Sequence, residues 1–443
     1  MSSSSCSLLS LRPEVVALKK TLDDFVENRV IPCEAEFAEH LSKRHGDDRF
    51  TMEAVPPCVE RLKQEAKQLG LWNLFIPPRL MSHVPDEALK PQIPLSYREY
   101  GILCETMGRC PELAPMVCNC GAPDTGNMEV LMEFGTPAQK EKYLLPLLRG
   151  EIRSTFLMTE PDVSSSDPTN LSTTLKKRIV GGNVEYTLTG NKWWSTGAGD
   201  PRCRVAVVVA RTDTSGSSNS NKHLAHTIVL VGLPHPGVKV KRALTVMGYD
   251  DAPYGHAQVE LNAVSLNNDD LVLGEGSGFR VSQARLGPGR IHHCMRAIGM
   301  AARSYELMLQ RAMERRAFGK YLWEHGGCQE MIADSASDVE AARLLTLSCA
   351  SALDDVGPRI ARDKIASIKV TVPELCYRVV DRSVQVHGGA GLSEDFPMAK
   401  FLAGLRSLRI ADGPDAVHRR TLALLEIRKA KKRMQDELKR SRL

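Results

Sequence analysis

At 443 residues, with 42% hydrophobic and 25% charged residues, the chain has an ordinary globular balance and enough length for two or three compact units. The formal net charge of +5, from 58 Lys and Arg against 53 Asp and Glu, is too mild to point to nucleic acid. No apolar run approaches the roughly 20 residues of a membrane helix.

The twelve cysteines contain no C-x-x-C pair. Cys118 and Cys120 stand close together but lack matching histidine spacing, so no metal site is expected and a reducing compartment fits.

Residues 1–153 read as a helical domain. EVVALKKTLDDFVENRVIPCEAEF carries apolar residues at helical spacing up to Pro32, and ERLKQEAKQLGLWNLFIPP repeats the pattern. SYREYGILCETMG and TPAQKEKYLLPLLRG follow as two further amphipathic helices. Residues 154–282 change texture. Short β-rich runs at 154–159, 177–180, 184–188, 204–211, 226–231, 238–244 and 257–261, split by Gly, Pro, Asn and Asp, predict a small barrel or sandwich. The polar stretch 212–222 is read as a loop between strands.

Helical periodicity returns over 283–432, with long helices expected at 291–316, 331–352 and 358–387. Helices, then strands, then helices make an α+β chain without the βαβ alternation of a parallel nucleotide-binding sheet. The remaining 433–443 form a basic tail ending in Ser441-Arg442-Leu443, close to the S-K-L peroxisomal address and so an expected ligand of the peroxisomal import receptor. The opening MSSSSCSLLSLR, Ser-rich and free of acids, leaves a mitochondrial matrix address as the alternative.

Five motifs in order resemble the acyl-CoA dehydrogenase family: MTEPDVSSSD (158–167), GNKWWSTGAG (190–199), ERRAFGK (314–320), VQVHGGAG (384–391) and RIADGPD (409–415). The likeness is greatest to the branch of members ten and eleven, in their dehydrogenase part and not their kinase-like domain. It implies an N-terminal helical domain, a central β-barrel and a C-terminal four-helix bundle.

The resemblance also implies an FAD cofactor, an acyl-CoA substrate, and α,β-dehydrogenation to the trans-2-enoyl-CoA with hydride passing to flavin N5. By the same resemblance, Phe156, Met158 and Thr159 match one flavin-contacting strand, and Trp194, Ser195 and Thr196 match its neighbour. Trp193 is read as packing. Arg315, Phe318, Gln385, Gly388 and Gly389 match positions holding the FAD pyrophosphate and adenine across a subunit boundary, which implies a homodimer or homotetramer. Arg suits phosphate through its forked donors, and paired glycines allow close backbone approach.

The family's catalytic Glu turn is matched here by Ala411-Asp412-Gly413-Pro414, so Asp412 takes the place of the base, one methylene shorter. Asp415 is its rival by sequence and is otherwise read as a helix cap. Gly289 stands where some relatives keep a base and cannot serve. Arg290 and Gly413 match substrate-side positions, as does Ser165 or Ser166 near the pantetheine. Pro414 replaces the usual Thr, and Gly326 stands where a Gln often holds the cofactor, with Gln329 one turn later. His292, His293 and His387 are read as structural.

The electron acceptor is expected to be an electron-transfer flavoprotein, or O2 if the protein is oxidase-like. A non-catalytic FAD-binding or nucleic-acid-binding relative is the reading from another class. The acyl group is expected to be medium to long, with branching or hydroxylation open.

Overall fold

A computed structural model of the chain describes residues 8–213 and 225–441. The start of the Ser-rich opening, most of the 212–222 loop, and Arg442 and Leu443 of the terminal tripeptide lie outside the described residues. By contact the chain divides into two compact units. One gathers the stretch up to Val16, Ser96–Pro111 and the chain from Gly287; the other takes Ala17–Leu95 and Glu112–Leu286.

The first unit is helical, and it recruits a helix that the sequence texture assigned to the N-terminal domain. That helix, Tyr97–Gly108, begins at a reciprocal cap: Ser96 Oγ accepts from the Glu99 N–H, and the Glu99 carboxylate accepts from the Ser96 N–H. The Asp354 carboxylate accepts from the N–H groups of Tyr97 and Arg98 at 2.7 and 3.0 Å. An anion thereby satisfies donors that a helix start leaves over.

Further along, a Cβ on Gly108 would lie 2.3 Å from the Arg296 carbonyl oxygen, and one on Gly299 would lie 2.1 Å from that of Glu105. Two glycines thus let this helix and the long helix Gly278–Glu314 touch backbone to backbone. The other helices of the unit are Gly326–Ile360, Arg362–His387, Met398–Leu408 and Asp415–Arg440.

Two boundaries differ from the periodicity reading. The long helix starts at Gly278, before the Gly287-Pro288-Gly289 that would ordinarily break a helix, and it is anchored on both sides by buried Val281 and Ile291. The helix expected at 331–352 starts earlier, at Gly326, and the stretch to Ile360 is kinked at Gly357 (φ +75), where two helical pieces meet just before Pro358.

The second unit holds one mixed eight-stranded sheet. Its strands are β1 Arg153–Leu157, β2 Thr174–Val180, β3 Asn183–Thr196, β4 Cys203–Asp213, β5 His226–Gly232, β6 Val238–Leu244, β7 His256–Asn267 and β8 Leu271–Val272. Every strand expected from the sequence is present. The pairings run β6-β7-β3-β2-β4-β5-β8, and β1 joins parallel to β4.

Alternating residues of these strands, among them Leu157, Leu188, Val208, Val231 and Leu261, form the buried core. β8 escaped the periodicity reading because two residues carry no period. Helices of this unit include Pro57–Gln68 and Asp124–Phe134.

Among the described residues, no helix is long and apolar enough to cross a membrane, and no group of three or more His, Cys, Asp or Glu could hold a metal ion.

Candidate active site

In the helical unit the turn after Leu408 puts Asp412 at φ +54 and Gly413 at φ +101. Its carbonyls are gripped from three helices. Arg290 Nε donates to the Asp412 carbonyl oxygen at 3.1 Å, and His418 Nε2 meets the same oxygen at 3.1 Å. Fully buried Lys369 donates to the carbonyl oxygens of Leu408 and Ala411 at 2.6 and 2.8 Å.

Burial, with Arg290 nearby, pushes His418 down to about 4. It is therefore neutral near pH 7, and because a carbonyl only accepts, Nε2 carries its proton. Burial also lowers Lys369 and Arg290, with the Asp412 charge opposing in both. The turn is fixed through its backbone, which leaves the half-buried Asp412 carboxylate to face a different group: His293 Nε2, 3.6 Å from Oδ2.

A Cβ at residue 413 would lie 2.7 Å from His418 Nε2, at a φ that L residues rarely adopt. Gly413→Ala is therefore expected to destabilise the protein by about 1–3 kcal/mol, read in thermal unfolding, and to displace His418 from the turn.

Asp415, the rival by sequence, is held elsewhere. Its Oδ2 accepts from Arg409 Nε at 2.8 Å, and Arg419 lies 3.8 Å away. It is the first residue of its helix rather than the cap, which is Pro414. His292 is buried edge-on to Tyr100, with ring centroids 4.6 Å apart, and burial holds it well below the usual histidine range. His387 bonds the Ser383 carbonyl at 2.8 Å. Both are core residues.

The sheet unit brings two of the expected segments together. The Trp193 N–H donates to the Thr159 carbonyl at 2.9 Å, tying the segment after β1 to β3. Buried Lys192 cross-links the same segments, donating to the carbonyls of Met158 (3.0 Å) and Val209 (2.7 Å) and pairing with Glu160 at 2.8 Å. Glu160 also accepts from the Ser172 and Thr173 N–H groups at 2.6 and 3.0 Å. Burial alone would raise the Glu160 carboxyl, but the Lys192 charge and these bonds outweigh it and hold it well below the usual carboxylate range.

Above this clamp the β3–β7 register shifts between Lys192 and Ser195, and Trp194 takes φ +51 with 41% of its surface exposed. A bulge of this kind re-aims a side chain. Ser195 Oγ and Trp193 Nε1 are buried without a hydrogen-bond partner among the described residues. Thr196 Oγ1 meets His256 Nδ1 at 2.8 Å. Phe156 of β1 pairs with Val207 of β4, and Ser165 Oγ accepts from the Glu160 N–H at 3.0 Å, whereas Ser166 is exposed.

In the helical unit, Arg315 immediately precedes a hairpin of two-residue strands, Arg316–Ala317 with Lys320–Tyr321, and Phe318 stands in the turn between them. Phe318 is 96% exposed at φ +50. Phe318 and Gln385 line one cavity of ≈ 200 Å³, with His325 and Met331. Gly388, at φ +65, and Gly389 have open space where a Cβ would stand, as does Gly326. Gln329 donates to the Trp323 carbonyl at 3.1 Å.

Sequence reasoning missed Lys192, Glu160, Lys369, His418 and the placement of His293. Glu160 and Lys192 lie inside the quoted motifs MTEPDVSSSD and GNKWWSTGAG, and Lys369 shows as a cation inside the run IASIKVTVPELC, whereas nothing in the sequence marked His418.

Comparison with known proteins covers most of the chain. Family models described as the acyl-CoA dehydrogenase N-terminal, middle and C-terminal domains match residues 12–151, 155–264 and 276–424. Acyl-CoA dehydrogenase family member 11 of Rattus norvegicus is 46% identical over 91% of this chain and 49% of its own length. FadE2 of Mycobacterium tuberculosis is 40% identical over 95% of this chain and 97% of its own. The chain spans about half the length or less of most of the curated relatives it matches. A solved structure from Mycobacterium abscessus, 43% identical, superposes with a TM-score of 0.86 over 95% of this chain and 100% of that one.

Proposed function

The chain belongs to the acyl-CoA dehydrogenase family, and on that premise we propose that it oxidises an acyl-CoA thioester between Cα and Cβ with Asp412 as the base. The observation that carries this reading is the half-buried Asp412 carboxylate on a left-handed turn whose carbonyls are pinned by Arg290, Lys369 and His418. A base of this kind must be held within hydrogen-bonding reach of the proton it takes.

FAD, when bound, supplies the hydride acceptor at its N5. The residues present fit it. Ser195 Oγ and Trp193 Nε1 are buried donors awaiting a partner, the Trp194 indole is presented to the outside, and the Gly388-Gly389 backbone is open to close approach. Met158, Thr159 and Thr196 sit on the same two tied segments, and Phe156 leads into the first of them. Arg315, Phe318 and Gln385 would take the pyrophosphate and adenine. An exposed Phe318 supports sharing of that role with a second copy of the chain, hence a homo-oligomer.

Asp412 takes the α-proton, and its backbone N–H would face the thioester oxygen as charge develops there. Arg290 holds the turn, and Ser165 or Ser166 would lie toward the pantetheine. Likeness to the ADGPD branch supports a medium to long acyl group, and family membership supports an electron-transfer flavoprotein as acceptor.

Anaerobic titration of the FAD-loaded protein with acyl-CoAs of graded length tests the reading. Bleaching of the flavin band by at least one thioester is expected. Retained FAD with no bleaching by any thioester would overturn it.

A further inference from the structure

The two adjacent histidines of the long helix have different environments. His292 is sealed against Tyr100 and stays neutral. The His293 side chain is 32% exposed, and its Nε2 stands 3.6 Å from Asp412 Oδ2, whose own side chain is 24% exposed. The other groups around the turn are engaged differently. On the same helix, Arg290 donates to the Asp412 carbonyl, and Arg296 lies further along beside His292. On the Arg362–His387 helix, Lys369 donates to the Leu408 and Ala411 carbonyls. On the Asp415–Arg440 helix, His418 holds the Asp412 carbonyl and Asp415 is bound by Arg409. His293 meets the carboxylate itself.

We propose that His293 is the proton outlet of the base, taking from Asp412 the proton won from the substrate and releasing it to water. This deepens the reading of Asp412 as base and rests on it. A base that has taken a proton must lose it before it can act again, and a thioester lying over the carboxyl keeps bulk water away. An imidazole, with an ordinary pKa near 6.5, is suited to pass a proton between a carboxyl and solvent near neutral pH.

In the step, the Asp412 O–H bond breaks and a His293 Nε2–H bond forms, giving carboxylate and imidazolium. The imidazolium then gives its proton to water, and no oxidant or reductant is needed. The 3.6 Å separation is longer than a hydrogen bond, so transfer follows a small rotation of the half-exposed ring or passes through one water.

The test uses the full-length, FAD-loaded protein and two readouts. The first is an NMR titration of the His293 ring protons, assigned with His293→Gln, in the wild type and in Asp412→Asn. Loss of the carboxylate charge is expected to lower the His293 midpoint by about one unit, and an unchanged midpoint would overturn the proposal.

The second is exchange of the α-protons of a 3-thia-acyl-CoA, which cannot be oxidised, into D2O. His293→Ala is expected to slow exchange by about tenfold or more, with FAD content and analogue affinity unchanged, and added imidazole is expected to restore it. Wild-type exchange in His293→Ala, or a slow rate that imidazole does not rescue, would overturn the proposal. Exchange that persists in Asp412→Asn would instead remove Asp412 as the base, an outcome separate from either result at His293.

Discussion

In Asp412→Asn, flavin bleaching by an acyl-CoA that reduces the wild type is expected to slow by about 10²–10⁴-fold, the usual contribution of a positioned general base. Asn keeps the size of the side chain and tolerates the left-handed φ of +54 that this position requires. The turn is held through its carbonyls by Arg290, Lys369 and His418, contacts that the substitution keeps, so the variant should fold and retain FAD. Stopped-flow reduction with FAD content measured in parallel checks this. A rate within about threefold of wild type would move the base elsewhere, and Asp415, already bound by Arg409, would be the next to examine.

Lys192→Met is expected to cost about 3–5 kcal/mol, because it leaves the buried Glu160 carboxylate without its cation and the Met158 and Val209 carbonyls without a donor. The burial that makes the pair vulnerable also lowers Lys192's own hold on its proton despite Glu160, so the intact pair is worth less than the cost of breaking it.

The pH dependence follows from the carboxylate. The folded Glu160 carboxyl titrates below its unfolded value of about 4.3, so its contribution is fully present above that value. It is lost as pH falls toward the folded value of about 2. Chemical unfolding between pH 7 and pH 2.5 should show this acid-sensitive part in the wild type and not in Glu160→Gln. The structural consequence reaches the proposed cofactor, because the pair ties the Met158–Thr159 segment to the strand carrying Trp194 and Ser195.

The architecture was legible in the chain because its elements have clean periods. Short β-branched runs bounded by Gly, Pro and Asn became β1 to β7, and amphipathic runs became the long helices. Boundaries were less legible where a helix runs through residues that ordinarily break one, as at Gly287-Pro288-Gly289. The assignment of Tyr97–Gly108 to the helical unit could not be read from texture either. It depends on Gly108 and Gly299 meeting across two helices 191 positions apart in the sequence, a close approach that neither glycine signals by itself.

The sequence by itself determined which residues could do the chemistry. The resemblance matches one acidic turn, RIADGPD, to the family's base and two motifs, MTEPD and KWWST, to its flavin-contacting strands, and the proposed function rests on those matches. Tertiary structure decided how those residues are held and what stands next to them. Lys192 reaches Glu160 across 32 positions, Lys369 reaches Ala411 across 42, and Arg290 reaches Asp412 across 122. Between His292 and His293 the sequence offers no distinction, but adjacent side chains on a helix point about 100° apart. The fold turned one into the core and the other toward the carboxylate.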